Sequence, residues 1–305
     1  MSLYLAVAGM PVNVFMILGL GATVGVLSGL FGVGGGFLLT PLLMTYGIPP
    51  AVAAASDSNQ IVAASCSGAL AHKRLGNVDV KMGLTFLAGS ILGGTAGTQL
   101  VRVLRGFGNY DVVVKIVYVL LLAAIGGFMF WESLQALRGK TKNVQGKGFF
   151  ARLVGRLPWQ VYFPVSGVRV SVLFVVGLGF LVGALAALLG VGGGFITVPA
   201  MIYLLRMPTI VAIGTDLFQI VFTSMNVTFQ QAITNHTVDV VLAVLLFCGS
   251  TVGAQVGARL SRLFRGEQLR IILAVIVLLV MLKLFVDLVS APADLITLTT
   301  GGGGH

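Results

Sequence analysis

Residues 32–41, Gly-Val-Gly-Gly-Gly-Phe-Leu-Leu-Thr-Pro, return at 190–199 as Gly-Val-Gly-Gly-Gly-Phe-Ile-Thr-Val-Pro, each time after a long apolar run. A chain that carries such a segment twice has to build one structural unit and repeat it. Three consecutive glycines interrupt a helix, since each costs about 1 kcal/mol against alanine. In exchange they allow close backbone approach and leave N–H groups freely oriented. A helix starting at Phe37 or Phe195 would aim its N-terminal N–H groups and positive dipole end back at the glycines. Two such ends, one per repeat, predict a site for something negative.

The pairing extends far beyond the glycines. Pro41 answers Pro199, Pro50 answers Pro208, Asp57 answers Asp216 and Asp79 answers Asp239. The triplet Gly89, Gly93, Gly97 answers Gly249, Gly253, Gly257, and Arg102, Arg105, Gly106 answer Arg262, Arg265, Gly266. The offset drifts only from 158 to 160 residues, which identifies an internal duplication.

What the repeated unit is made of follows from its polarity. Hydrophobic residues make up 57% of the chain and charged residues 9%, against about 25% charged in a soluble domain. Several runs approach the roughly 20 residues a helix needs to cross a bilayer, and they are continuously apolar rather than alternating. The fold class is therefore an all-α polytopic membrane protein. The divisions are repeat one at 10–138, a basic connector at 139–167, repeat two at 168–290, and a tail at 291–305. The closing Gly301 to His305 reads as an appended remnant. The opening Met-Ser-Leu-Tyr has no basic flank, so no cleavable signal peptide is expected. Each repeat is expected to hold a broken, re-entrant helical hairpin around its glycine run, then about three transmembrane helices. The Gly-x-x-x-Gly triplets predict a close helix–helix contact.

The net charge of +10 does not indicate nucleic acid, because of where the charge lies. Arg138, Lys140, Lys142, Lys147, Arg152, Arg156 and Arg169 all fall in or beside the connector, and no acidic residue occurs between Glu132 and Asp216. The positive-inside rule places such a connector in the cytoplasm. The loop at 72–81, with Lys73, Arg74 and Lys81, then also falls inside, whereas its counterpart at 232–238 has no Lys or Arg and falls outside. Equivalent loops on opposite faces predict inverted-topology repeats, with both termini outside. Arg102 and Arg105, which this scheme places outside, stand against it.

Beyond each break lies a polar cluster in an apolar helix: Ser56-Asp57-Ser58-Asn59-Gln60 in one repeat, Thr215-Asp216 with Gln219 in the other. Intramembrane carboxylates are costly and point to function, so Asp57 and Asp216 are candidates for exchanging a proton or holding a cation. The plainer alternative makes them caps of a neighbouring broken helix. The candidate anion ligands are Gly34, Gly35, Gly36, Gly192, Gly193 and Gly194, with Ser56, Asn59, Gln60, Thr215 and Gln219. Ser65, Ser67, Thr223, Ser224, Asn226, Thr228, Gln230 and Gln231 read mostly as interhelical glue. His72, Lys73 and Arg74 read as membrane-edge anchors, and the aromatic and Met residues as packing. Lys283, inside the last helix, either snorkels or balances a carboxylate. Cys66 and Cys248 have no ligand spacing around them, so neither metal site, cofactor nor disulfide is expected.

Duplicated Gly-Val-Gly-Gly-Gly-Phe…Pro segments, each followed by a Ser/Thr-Asp-x-x-Gln cluster and a Gly-x-x-x-Gly helix, resemble the TauE/SafE sulfite exporter family over roughly residues 12–290. The resemblance implies a permease for small sulfur-containing anions, sulfite or organosulfonates, in the cytoplasmic membrane of a prokaryote. The expected partners are thus a small anion, the lipid bilayer, and protons or sodium ions. Two further readings stay open: an intramembrane aspartyl protease using Asp57 and Asp216 as a dyad, and an uncoupled anion channel. The chain has no GxxxxGK[ST] loop, which disfavours ATP-driven pumping.

Overall fold

The computed structural model describes residues 2–31, 36–108, 110–137, 158–260 and 266–290. Gly34, Gly35, Arg262, Arg265, the connector up to residue 157 and the tail from residue 291 lie outside the described residues. Repeat one contains a short hairpin, β1 (Ser2–Leu5) and β2 (Met10–Asn13), then α1 (Val14–Phe31), α2 (Gly36–Thr45), α3 (Pro50–Arg74), α4 (Val80–Gly106) and α5 (Tyr110–Leu137). Repeat two restarts with β3 (Gln160–Phe163) and β4 (Val168–Ser171), then α6 (Val172–Leu189) and α7 (Gly194–Pro199), which runs on through a π-type turn, Ala200–Leu204. It ends with α8 (Thr209–Gln230), α9 (Val240–Leu260) and α10 (Gly266–Val289). The all-α polytopic class holds, with two-stranded hairpins as its only sheets among the described residues.

Local chemistry explains the helix boundaries. Pro50 opens α3 and Pro208 directly precedes α8, positions where a missing N–H costs nothing. Pro199 does cost one, and the wider turn at Ala200–Leu204 follows it, closed by Leu205 N–H donating to Ala200 O (3.2 Å). α6 stops at Gly190, which takes a left-handed conformation (φ 75°) that a side chain would strain. Among the described residues, six helical stretches are long and apolar enough to cross a membrane: Val80–Gly106, Tyr110–Glu132, Val172–Leu189, Thr209–Asn235, Val240–Gly257 and Ile271–Val289. α3 has the length, but carries Ser56–Gln60 and a basic end.

The hairpins were not anticipated, and they belong to the duplication. The turn of each one reaches across to the other repeat. Ser166 donates its backbone N–H (3.0 Å) and hydroxyl (2.7 Å) to Asp79 Oδ2, while Asp79 Oδ1 accepts from Met82 N–H and so caps α4. Reciprocally, Val7 N–H donates to Asp239 Oδ2 (3.1 Å), and Asp239 Oδ1 accepts from Val241 and Leu242 N–H at the start of α9. Strand β3 lies within the stretch read from sequence as connector. Four-residue strands are too short to leave a periodic signal there.

Helix pairing is likewise exchanged between repeats. α1 packs on α9 and α4 on α6, while α3 packs on α8 and α5 on α10. This is the pattern a two-fold relation gives, in which contact i to j is matched by j to i. The predicted glycine contacts carry it. A Cβ on Gly89, Gly93 or Gly97 would meet the carbonyls of Val176, Phe180 or Ala184 on α6, and one on Gly249, Gly253 or Gly257 those of Leu18, Ala22 or Val26 on α1. From the facing side, Gly21 and Gly25 lie against Leu246 and Ser250, and Gly179 and Gly183 against Phe86 and Ser90. Backbones touch at every fourth residue along both seams, a geometry open only to small residues. α3 and α8 run antiparallel: His72 of α3 lies by Gly214 of α8, and Gly68 by Leu217.

Candidate functional site

The helices that follow the two glycine runs, α2 and α7, meet at their first turns. α2 and α7 begin at Gly36 and Gly194, one residue earlier than the sequence suggested. The first side chains after them, Phe37 and Phe195, stack with centroids 4.1 Å apart and planes 6° from parallel. These residues occupy corresponding positions in the duplicated segments. Gly36 is buried beside Ile61 and the Val191 carbonyl, and Gly192 lies between Ile61 of α3 and Ile220 of α8. Gly193 caps α7 in a left-handed conformation (φ 92°), its carbonyl accepting from Ile196 N–H, Thr197 N–H and the Thr197 hydroxyl. Gly190 is pressed against the Ala54 backbone, and Ser58 Oγ reaches the Ala54 and Gly190 carbonyls. The second glycine run therefore rests on the polar turn of α3 from the other repeat.

The polar clusters differ in how fully they are engaged. In repeat two, Gln219 Nε2 donates to Asp216 Oδ1 (2.9 Å), and Gln219 Oε1 accepts from the Thr223 hydroxyl (2.9 Å). Thr197 also stands beside Asp216, and Thr215 Oγ1 accepts the Asp79 N–H (3.0 Å). In repeat one, Asp57 Oδ2 accepts from the Thr40 hydroxyl (2.7 Å). Its Oδ1 has no partner, nor do Ser56 Oγ and Gln60 Oε1, although all are buried. Asn59 is half-buried. The eight buried side-chain atoms without a partner among the described residues belong to Ser56, Asp57, Gln60, Ser65 and His72 of α3, and Ser224, Asn226 and Thr228 of α8. Leaving such a group unmet costs about 1–3 kcal/mol, and among the described residues these groups are confined to α3 and α8.

Asp57 bonds the Thr40 side chain of α2, and Asp216 the Gln219 side chain of its own helix. They do not form a dyad. Leu217 faces Gly68, which puts Asp216 about 11 residues along α3 from Asp57, or about 16 Å at 1.5 Å per residue. Two carboxylates sharing one proton would have to be in contact. The glue reading holds for Gln230, which donates to Thr95 Oγ1 (2.7 Å) on α4, and for Gln231, which donates to Ala187 O (3.0 Å) on α6. Lys73, Arg74 and Lys283 are exposed. Cys66 and Cys248 are free, and no metal-binding cluster occurs among the described residues.

Two functional candidates escaped the sequence reading. Tyr110 and Tyr118 of α5 are fully buried, and their hydroxyls donate to the last carbonyls of α6, Leu188 O (2.9 Å) and Leu189 O (2.5 Å). Nothing local distinguishes these tyrosines from packing aromatics. The signal available was their asymmetry, since α10 carries no tyrosine. Tyr110 further lines a cavity of about 330 Å³ with Val7, Pro49, Arg105 and Asp111.

Residues 17–284 match the family described as sulfite exporter TauE/SafE. The chain is 31% identical over 274 residues to the "Probable membrane transporter protein YjnA" of Bacillus subtilis (strain 168), covering 87% of this chain and 97% of that protein. To "Probable membrane transporter protein YunE" of the same organism it is 27% identical over 272 residues, covering 86% and 93%. A shorter stretch of 115 residues, 35% of this chain and 26% of the relative, is 31% identical to "Sulfite exporter TauE/SafE family protein 1" of Arabidopsis thaliana. No solved structure matches. The relatives are named as transporters rather than enzymes, in keeping with six apolar helices and two carboxylates too far apart for a dyad. A duplicated glycine-broken helix, a polar turn facing it from the opposite repeat and a match over most of the chain lead to one assignment: this multi-pass membrane transporter belongs to the TauE/SafE sulfite exporter family.

Proposed function

We propose that the protein is a secondary exporter of small sulfur-containing anions such as sulfite or organosulfonates, coupled to protons or sodium ions. The observation that carries the site is the set of unpartnered buried polar atoms on α3 and α8, the two helices that flank Gly192. In this reading the anion lies between the repeats, near the N-terminal ends of α2 and α7. Gly34, Gly35, Gly36, Gly192, Gly193 and Gly194 offer backbone N–H groups, and Ser56, Asn59 and Gln60 side chains. In the conformation described, Thr215 and Gln219 are held by Asp79 and Asp216, so they join the shell only if those bonds exchange. Backbone donors suit an anion here because they bring no desolvated cation. Asp57 and Asp216 would repel it unless neutralised, which is why a proton or cation belongs to the same cycle.

The two repeats are proposed to have inverted topology, with the connector cytoplasmic and the termini outside, in a prokaryotic cytoplasmic membrane. The antiparallel course of α3 and α8, which are equivalent helices, supports this: a two-fold axis in the membrane plane reverses equivalent helices, and one along the normal does not. Flux in proteoliposomes against a panel of sulfite, organosulfonates and other anions, with and without proton and sodium gradients, tests the proposal. Gradient-driven sulfite or sulfonate flux is expected. Passive flux that ignores both gradients would make the protein a channel, and indifference to sulfur anions would remove the substrate class.

A further inference from the structure

We propose that Arg105 and Asp111 line a second anion site, a docking cavity on the outer face where the transported oxyanion is drawn by the arginine and kept loosely held by the carboxylate. The inference rests on the proposed function for its anion and for its outer face. The cavity has a volume of about 330 Å³, near the small end of ligand pockets. It is built from Val7 in the β1–β2 turn, Pro49 and Val52 at the start of α3, Arg105 near the end of α4, and Tyr110 and Asp111 at the start of α5. In the inverted topology each of these segments lies outside.

An arginine there is out of place by the positive-inside rule, and its surroundings supply another reason for it. Its Nη1 donates to Asn235 O (2.8 Å), in the turn that follows α8 of the other repeat. That bond fixes the guanidinium and occupies one of its five N–H donors. The others belong to a planar fork suited to two oxygens of one oxyanion. Asp111 lines the same cavity, yet among the described residues it makes no ion pair with Arg105. Two opposite charges that share a small cavity without pairing each remain available to a ligand. The arginine is favoured as the binder, because α3 and α5 both start at the cavity and their positive ends add to its field.

A site on a transport route must take up its ion and let it go again. Asp111 serves the second need, since a carboxylate across the cavity weakens the hold on an anion without abolishing it. The position suits a route as well. Tyr110 forms part of the cavity wall, and its hydroxyl donates to Leu188 O (2.9 Å) near the end of α6, just ahead of Gly190. One side chain thus joins the cavity to the end of the helix that precedes the second glycine run.

Thiol reactivity inside the cavity tests this on the full chain in detergent. Val7 is 40% exposed, so Val7→Cys, combined with Cys66→Ser and Cys248→Ser, places a single thiol in the cavity wall. Its rates with an anionic and a cationic methanethiosulfonate reagent are measured at low salt, each divided by the rate for a free thiol, with methanesulfonate as the protecting anion. The anionic reagent is expected to react faster, and methanesulfonate to slow it. Arg105→Gln should lower the anionic-to-cationic ratio about fivefold, the effect of one nearby unit charge felt with opposite sign by two reagents in water, and remove the protection. Arg105→Lys keeps the charge but loses the fork, so it should keep the ratio and weaken the protection, whereas Asp111→Asn should strengthen it. A ratio unchanged by Arg105→Gln, or protection that survives it, overturns the site and leaves Arg105 only its tie to Asn235. Equal protection with Asp or Asn at position 111 overturns the carboxylate's part. Failure of the proposed function looks different: Arg105-dependent protection persists while proteoliposomes show no flux of sulfur anions.

Discussion

Helix α6 contains an internal test of how the repeats are held together. Gly177 and Gly183 lie six residues apart on it; a Cβ at Gly177 meets open space, whereas one at Gly183 would run into the Ser90 carbonyl of α4. Alanine at Gly177 gains the difference in helix propensity, about 1 kcal/mol. Alanine at Gly183 gains the same but overpacks the seam, at a cost of roughly 1–3 kcal/mol. The upper end applies, because the obstacle is backbone that no rotamer change can move. Separating α4 and α6 instead would spread the loss along the seam, since a gap of 0.5–1 Å already forfeits about a quarter to a half of each contact. The two substitutions should therefore differ by about 3 kcal/mol, or roughly 6–12 °C in apparent melting temperature at about 2–4 °C per kcal/mol. Thermal unfolding in one detergent at one scan rate measures it, since such unfolding is commonly irreversible. The symmetry adds a second reading: Gly19→Ala and Gly25→Ala on α1 should reproduce the pair, with Ser250 in place of Ser90. Equal melting temperatures for Gly177→Ala and Gly183→Ala would refute the argument that backbone contact at these glycines joins the repeats.

Asp79→Ala removes the α4 cap and leaves Ser166 N–H without its acceptor. It should cost about 2–4 kcal/mol, from roughly 1 for the cap and 1–3 for the orphaned donor, read as a lower unfolding midpoint. Asp57→Asn and Asp216→Asn should preserve folding but stop or uncouple flux in proteoliposomes; wild-type coupled flux in both would reduce the carboxylates to structural roles. Cysteines at Leu75 (71% exposed) and at the exposed His236 should react with a membrane-impermeant thiol reagent from opposite faces of the membrane. Labelling of both from one side would sink the inverted topology.

Much of the molecule was legible in the residues themselves. The duplication, the glycine breaks, the long apolar helices and the polar turns at Asp57 and Asp216 are local features, and lipid leaves the backbone few alternatives to a helix. Even the Gly-x-x-x-Gly seams could be located, because small residues at every fourth position line one face. What the spacing could not give was the partner. α4 packs on α6 rather than within its own repeat, a choice set by the shape of two whole halves closing on each other. The hairpins were lost for a related reason: four-residue strands have no periodicity, and they become ordered by offering N–H groups to Asp79 and Asp239 across the interface. The engagement of Thr215 and Gln219, the separation of the two carboxylates and the reach of Tyr118 to Leu189 are all contacts between residues distant in sequence. A side chain's type announces what it can bind, but only the closed tertiary structure decides which donor arrives first.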